Sequence, residues 1–168
     1  MRSAVIAYAT FALLSSCGGD PQTGFVAFER DFQDFHSWEA FDVGHVGEIG
    51  DIHGEGPRRI YLRERPPAGS KAFPIGTMLA KEMTLQKDPT ARTIFAMVKR
   101  GAGFNPGGND WEWFDLAIRE DGSVRIAWRG VGPPSDGDAY GDPSGCNPCH
   151  KSGGNDMVRT PELALANF

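Results

Sequence analysis

The chain has 168 residues, of which 40% are hydrophobic and 23% charged, and its formal net charge is −5. This size and composition suit one globular domain with a buried core. The sequence contains no run of lysine and arginine, so the electrostatic footprint of a nucleic-acid-binding protein is missing. We therefore expect no nucleic-acid partner. The 22 glycines and 12 prolines predict numerous loops.

The N-terminal residues have the three parts of an export signal. A short positive start, MRS, precedes an apolar stretch at 4–14 that is too short to span a bilayer as a helix. Small residues then lead to Cys17, which resembles the bacterial lipobox, where the signal is cut just before an acylated cysteine. We therefore predict a lipoprotein signal peptide over 1–16 and lipidation of Cys17. The mature chain would be exported, face the periplasm and be held to the membrane by lipid only; an ordinary secretion signal or a short core helix are the alternatives.

The next segments are predicted to be a tether and a helix. Residues 17–24 are typical of a flexible tether, and 25–168 are predicted to form one domain. Large apolar residues recur every three or four positions over 25–41, which predicts an amphipathic helix facing the core. These residues are Phe25, Phe28, Phe32, Phe35 and Trp38. A glycine-rich loop follows and contains His45 and His53.

Five β-strands are predicted from β-branched and aromatic runs with rough alternation, at 58–64, 76–85, 92–100, 111–118 and 123–130. Turn sequences separate them, and Asp121-Gly122 between the last two is a strong hairpin signal. A long loop rich in glycine, proline and aspartate then leads to a cysteine motif. The expected fold is α+β: a mostly antiparallel β-sheet with an N-terminal helix packed on it and the cysteine motif on a late loop.

Two predicted strands carry a charge on their apolar side. Alternation puts Lys81 on the side of Leu79 and Met83, and Arg58 on the side of Ile60. An unpaired buried charge is expensive. Either both side chains reach solvent from strand ends or an edge, or they line a pocket that holds an anionic or metal-bearing partner.

The sequence CNPCH at 146–150 is compatible with three chemistries. A thiol redox couple is typical of a helix start that follows an early strand, and here the motif comes late, after an irregular loop. A zinc site needs a second Cys/His pair, which the sequence lacks. In an exported chain whose other cysteine carries lipid, the motif favours one covalent haem c. Cys146 and Cys149 would bond to the haem, and His150 would be an axial ligand of the iron.

Three stretches resemble the cytochrome P-460 family and its relatives, the beta-sheet type of cytochrome c′. They are RRIYL at 58–62, FPIGTMLAKEM at 73–83 and CNPCHKSGGNDMVRT at 146–160. The resemblance, which spans about residues 57–160, implies a haem whose iron is five-coordinate through His150. It also implies a small gaseous or nitrogenous ligand such as nitric oxide and a periplasmic electron-transfer partner.

The resemblance implies roles for three further residues. Lys81 falls where the family's lysine cross-links to the haem edge, and Arg58 matches an arginine of the distal pocket. Phe95 stands where the P-460 enzymes have a carboxylate for proton transfer during hydroxylamine oxidation. Because phenylalanine cannot accept a proton, and no other acid is an obvious substitute, the status of this chain as an enzyme stays open.

Two other functions also stay open. An electron-transfer cytochrome c with a six-coordinate haem would need a second protein ligand, for which His45, His53 and the methionines are candidates. A haem-free binding module would instead hold a disulfide between Cys146 and Cys149. The sequence does not fix the oligomeric state, and a homodimer is compatible with it.

Overall fold

The computed structural model describes residues 24–45, 56–85, 88–132 and 145–168. Its centre is a six-stranded sheet in which strands adjacent in sequence are adjacent in space and every pair is antiparallel. The mostly antiparallel sheet predicted from the sequence is therefore confirmed. The strands are β1 (Glu39–His45), β2 (Pro57–Leu62), β3 (Met78–Leu85), β4 (Asp88–Lys99), β5 (Trp111–Ile118) and β6 (Val124–Gly130).

Several predictions at the N-terminus fall outside this part of the chain. The signal peptide over 1–16, the lipidated Cys17 and His53 lie outside the described residues, as does all but the last residue of the tether over 17–24. Within the described ranges, no helix is both long enough and apolar enough to cross a membrane.

The hairpin between β5 and β6 forms at the predicted dipeptide. Arg119 N–H donates to the Ser123 carbonyl at 2.8 Å, and the Asp121 side chain accepts from Ser123 N–H at 2.9 Å. Gly122 has a φ of 82°, in the left-handed region that glycine adopts without strain. The turn chemistry that the sequence indicated is thus present.

The segment 25–41 is not one α-helix. It forms two 3-10 helices, Glu29–Phe32 and Phe35–Ser37, and then enters β1 at Glu39. The apolar spacing that predicted a helix also suits 3-10 turns, because these bring residues i and i+3 to the same side. Phe32 and Phe35 are fully buried. The segment therefore covers the sheet, as expected of the predicted helix, but as two short turns followed by a strand.

The sheet has two covered faces, which we name by what packs on them. Face A lies under the N-terminal segment 24–38, and face B lies under the C-terminal segment 146–168. Face A carries Tyr61, Met78, Ala80, Ile94, Ala96, Val98, Phe114, Leu116 and Val124. Face B carries Ile60, Leu62, Leu79, Met97, Trp111 and Trp113, against which Met157, Val158 and Leu163 are buried.

Face A also buries one carboxylate between two arginines. Glu112 is 2% exposed and accepts two hydrogen bonds from the Arg129 guanidinium, at 2.7 and 2.8 Å. Arg100 donates a third at 3.1 Å. Arg129 also donates to the carbonyl of Ala27 at 2.6 Å, which links the N-terminal segment to the sheet. This cluster holds the layer on face A and lies on the side of the sheet away from the cysteine motif.

Candidate functional site

The cysteine motif forms a short α-helix, α1 (Cys146–Lys151), where the sequence predicted a loop. Residues three apart in a helix lie on the same side, so Cys146 and Cys149 are side by side. Both are half-buried, and Cys146 packs against the apolar cluster of face B. Arg159 donates to the Cys149 sulfur at 2.8 Å. The helix therefore presents two neighbouring sulfurs at the edge of an apolar surface.

An amide pair holds the start of α1 on the sheet. The side chains of Asn105 and Asn147 exchange two hydrogen bonds, at 2.8 and 3.0 Å. Trp113 Nε1–H donates to the same Asn147 oxygen at 2.8 Å, and Asn105 also donates to the carbonyl of Trp111 at 2.7 Å. A Cβ built on Gly108 would lie 2.3 Å from Asn147 Oδ1. We name this arrangement the Asn147 clamp; it fixes the first residue between the two cysteines.

His150 is held in one orientation by a carbonyl and an aromatic ring. Its Nδ1 lies 2.8 Å from the carbonyl oxygen of Met157. Because a carbonyl only accepts, Nδ1 carries the hydrogen, and in the neutral ring the lone pair is on Nε2, the nitrogen that a metal would bind. The Trp113 ring packs against the imidazole with centroids 4.6 Å apart.

Burial keeps this imidazole neutral. Loss of hydration lowers the pKa of His150 to about 4, against the opposing effect of the hydrogen bond to Met157. The positive charges of Lys81 and Arg159 act in the same direction as burial. At neutral pH the ring is therefore in the uncharged form that can coordinate iron.

A buried ion pair lies behind the Met157 carbonyl. Lys99 Nζ is 2.8 and 2.9 Å from the two carboxylate oxygens of Asp156, and the side chains of these residues are only 10% and 4% exposed. Asp156 and Met157 both have left-handed backbones, with φ of 47° and 73°. Such a conformation costs on the order of 1 kcal/mol or more in a non-glycine residue and persists where its surroundings fix it. The ion pair with Lys99 is one of the contacts that hold this backbone conformation.

Face B also carries a row of side chains that runs across strands β2 to β6. Register pairs Ile60 with Lys81, Lys81 with Phe95, Phe95 with Asp115, and Asp115 with Trp128. The last four are half-buried. The Lys81 ammonium lies 5.6 Å from the centre of the Phe95 ring. The predicted site residues Lys81 and Phe95 are therefore direct neighbours.

Arg58 lies in the next row of face B. It pairs with Met83 across the β2–β3 ladder and is half-buried. The prediction that Arg58 and Lys81 share the apolar side of the sheet is thus correct, and that side is the one covered by the C-terminal segment. Arg58, Lys81, Phe95 and the cysteine motif all belong to face B.

Asp115 is a candidate site residue that sequence reasoning missed. It lies on face B directly opposite Phe95, and burial raises its pKa, with the charge of Arg125 opposing this effect. The signal was present in WEWFDLAI, because alternation puts Asp115 on the side of Trp111 and Trp113. The same argument had identified Lys81. An acid therefore does stand beside the position where the resemblance implied only a phenylalanine.

The residues of α1 and face B fit a covalent haem. Two neighbouring sulfurs can take up its vinyl groups, and a neutral histidine with its lone pair on Nε2 can bind its iron. Among the described residues, no group of three His, Cys, Asp or Glu side chains could hold a bare metal ion. Haem needs only the single histidine because the macrocycle supplies the other iron ligands in its plane.

Of the other candidate ligands, His45 is the last residue of β1, and His53 lies outside the described residues. Met83 and Met97 are buried on face B. Met157, which follows His150 by seven residues, is buried as well. No family model, no curated protein and no solved structure matches this chain.

Proposed function

We propose that this chain is a mono-haem c-type cytochrome of the P-460 type. It binds small nitrogenous ligands such as nitric oxide at a five-coordinate haem, oxidises hydroxylamine, and is exported and anchored through lipid on Cys17. The observation that carries the proposal is the arrangement of α1: two sulfurs one helical turn apart, followed by a half-buried, neutral histidine whose Nδ1–H is bonded to a carbonyl.

The residues of α1 would attach and orient the cofactor. Cys146 and Cys149 would form the thioether bonds, and His150 would supply one axial nitrogen. When bound, haem c supplies an iron that takes up a small ligand and passes electrons to a periplasmic partner. Trp113 limits rotation of the His150 ring by packing against it, and through its Nε1–H it also holds the start of α1. Trp113 thus stabilises both the axial histidine and the start of the helix that carries the two cysteines.

Face B would supply the ligand pocket. Arg58 has only hydrogen-bond donors and stays charged, so it can steer or hold a bound anion-like ligand but cannot bind iron. Lys81 would be the residue that cross-links to the haem edge. Phe95 gives the pocket an apolar wall.

Asp115 supports the enzymatic part of the proposal. Oxidation of hydroxylamine to nitric oxide releases three protons together with three electrons, so a proton acceptor near the ligand accelerates it. Asp115 is a half-buried carboxylate on the same face as Lys81, and its raised pKa makes it a better base than an exposed aspartate. It would take protons from the ligand while the electrons leave for the redox partner.

A six-coordinate electron-transfer cytochrome is the second candidate function. It is favoured by the two methionines that face B buries beside the Lys81 row, Met83 and Met97, since a thioether sulfur is a frequent sixth ligand of haem c. In that case the iron would have no position open to hydroxylamine or nitric oxide.

The haem content and the ferrous spectrum test the proposal together. Chain produced in a host that matures c-type cytochromes should give a positive haem stain after denaturing electrophoresis and one haem per chain in a pyridine haemochrome assay. Cys149→Ser should lose most of the stain, because it disrupts the two-cysteine motif at which haem c is attached. The ferrous protein without added ligand should be high-spin and five-coordinate and should bind nitric oxide.

Two results would contradict this. A folded, colourless wild-type protein would support the haem-free module with its Cys146–Cys149 disulfide. A low-spin ferrous spectrum in the absence of ligand would support the electron-transfer cytochrome, and Met83→Leu and Met97→Leu would then identify the sixth ligand.

The lipid anchor has a separate test. Labelled palmitate should enter the wild-type chain in a bacterial host, and Cys17→Ser should abolish the labelling, because the acylated sulfur is removed. The Cys149→Ser variant serves as the control, since it also lacks one thiol but should be labelled normally. Retention of residues 1–16 in the mature protein would show that no lipoprotein signal is cleaved.

A further inference from the structure

The histidine of the CxxCH motif takes its orientation from outside the motif. Its Nδ1–H donates to Met157, a residue seven positions later whose backbone is left-handed. A methionine does not adopt that conformation by preference, because its Cβ crowds the following carbonyl. Something in the fold must therefore hold the carbonyl of Met157 in place.

The residue just before it is tied to three separate parts of the chain. The Asp156 carboxylate accepts hydrogen bonds from Lys99 at the end of β4, from the Asn109 side chain at 3.2 Å, and from the backbone N–H of Phe73 at 2.8 Å. The Asp156 carbonyl accepts from Trp111 Nε1–H at 2.7 Å. Both the side chain and the backbone of Asp156 are therefore fixed.

Lys99 is fixed in turn. Its ammonium contacts both oxygens of Asp156, donates to the carbonyl of Asn109 at 2.7 Å, and lies 5.2 Å from the centre of the Trp111 ring. A buried ion pair with this many partners has a single low-energy geometry, whereas removal of one partner leaves a buried charge uncompensated. The ion pair therefore fixes the relative positions of Lys99 and Asp156, in addition to holding their two segments together.

We infer that the Lys99–Asp156 ion pair is a positioning device for the iron ligand: it holds the Met157 carbonyl against His150 and so keeps the imidazole in its Nδ1–H form. The inference rests on the proposed haem function for its purpose, but the orientation of His150 can be measured without haem. Partners of this kind, which orient a metal-bound histidine through its other nitrogen, also make that histidine a stronger electron donor.

The experiment measures the His150 tautomer by ¹⁵N imidazole NMR at neutral pH, on full-length chain made without cytochrome c maturation. The wild type should show His150 as Nδ1–H, and in Asp156→Ala this form should lose its predominance to Nε2–H. On haem-loaded chain, the same variant should lower the ferrous iron–histidine stretching frequency and shift the haem potential to more positive values.

Glu112→Gln is the matched control, since it weakens the ion pairs of a carboxylate on face A that is as buried as that of Asp156. It should leave the tautomer, the stretching frequency and the potential unchanged. The inference is overturned if folded Asp156→Ala keeps His150 entirely as Nδ1–H, or if Glu112→Gln changes the tautomer as much.

Should Asp156→Ala fail to fold, the double variant Lys99→Met with Asp156→Asn takes its place, because it removes both charges and leaves neither buried alone. The same two outcomes then decide. If the chain takes up no haem, the proposed function fails, while the tautomer of the haem-free chain still tests the positioning role by itself.

Discussion

Asp115→Asn is expected to slow hydroxylamine oxidation by about 10²- to 10⁴-fold, the range typical of a lost proton acceptor. Asparagine keeps the size and polarity of aspartate but cannot take up a proton. Binding of nitric oxide to the ferrous protein requires no proton transfer, so it should be nearly unchanged. Steady-state oxidation rates and nitric oxide titrations of the two proteins check both halves of this prediction.

The pH dependence has a definite direction. Asp115 must be ionised to accept a proton, and burial raises its pKa above the ordinary value of 3.8. Oxidation by the wild type should therefore decline as the pH falls through that raised pKa, and this limb of the profile should be absent from the residual activity of Asp115→Asn.

Stability should change in the opposite sense to activity. A carboxyl whose pKa is raised by folding favours the folded state at low pH, and that contribution is lost as the pH rises through the folded pKa. At neutral pH the ionised Asp115 is therefore a net cost, and Asp115→Asn should raise the melting temperature. A site residue that costs stability is typical of positions kept for function.

Glu82→Gln is the matched control, because Glu82 lies on β3 next to Lys81 in sequence but on face A. Burial alone would raise its pKa, but hydrogen bonds from Arg92 and His36 lower it overall. Its stabilising effect is therefore present at neutral pH and lost on acidification, so Glu82→Gln should lower the melting temperature and leave oxidation intact. Equal oxidation by Asp115→Asn and wild type would remove Asp115 from the mechanism.

The strands were predictable because their apolar alternation is a local signal. Four of the five predicted strands match within two residues at each end, and the fifth, predicted at 92–100, begins four residues earlier. β1 was missed because the aromatic residues that precede it have helical spacing, and the segment was assigned as a whole to one helix. Two 3-10 helices give the same spacing of aromatic residues, because they too place every third residue against the sheet.

The site was predictable only where a motif or an alternation carried it. CNPCH indicated Cys146, Cys149 and His150 as candidates, and alternation placed Lys81 and Arg58 on the face that the cysteine motif covers. By contrast, Lys99 and Asp156 are 57 residues apart, and Asp156 lies in an irregular segment without a period. Nothing local in the sequence indicates that these two side chains meet, or that the carbonyl beside them accepts from His150.

Gly108→Ala is expected to loosen α1 from the sheet and to destabilise the protein by roughly 2–3 kcal/mol, the cost typical of overpacking a tight contact. An added Cβ would lie 2.3 Å from Asn147 Oδ1 and 2.4 Å from Asn105 Nδ2. Side-chain ends can often move, but Asn105 is 3% exposed and both amides are held by several hydrogen bonds. The methyl group must therefore separate the amide pair.

Gly107→Ala, in the same 3-10 helix Pro106–Gly108, is the matched control. A Cβ at Gly107 would meet its nearest neighbour, Asn147 Nδ2, at 3.4 Å, which is an ordinary contact. Thermal unfolding of the two variants should therefore differ, with Gly108→Ala lower by roughly 5–10 °C. In the haem-loaded protein Gly108→Ala should also broaden the ferrous spectrum, because the Asn147 clamp and the Trp113 contact with His150 share the Trp113 side chain. Equal melting temperatures for the two alanine variants would show that α1 is not held through Asn147.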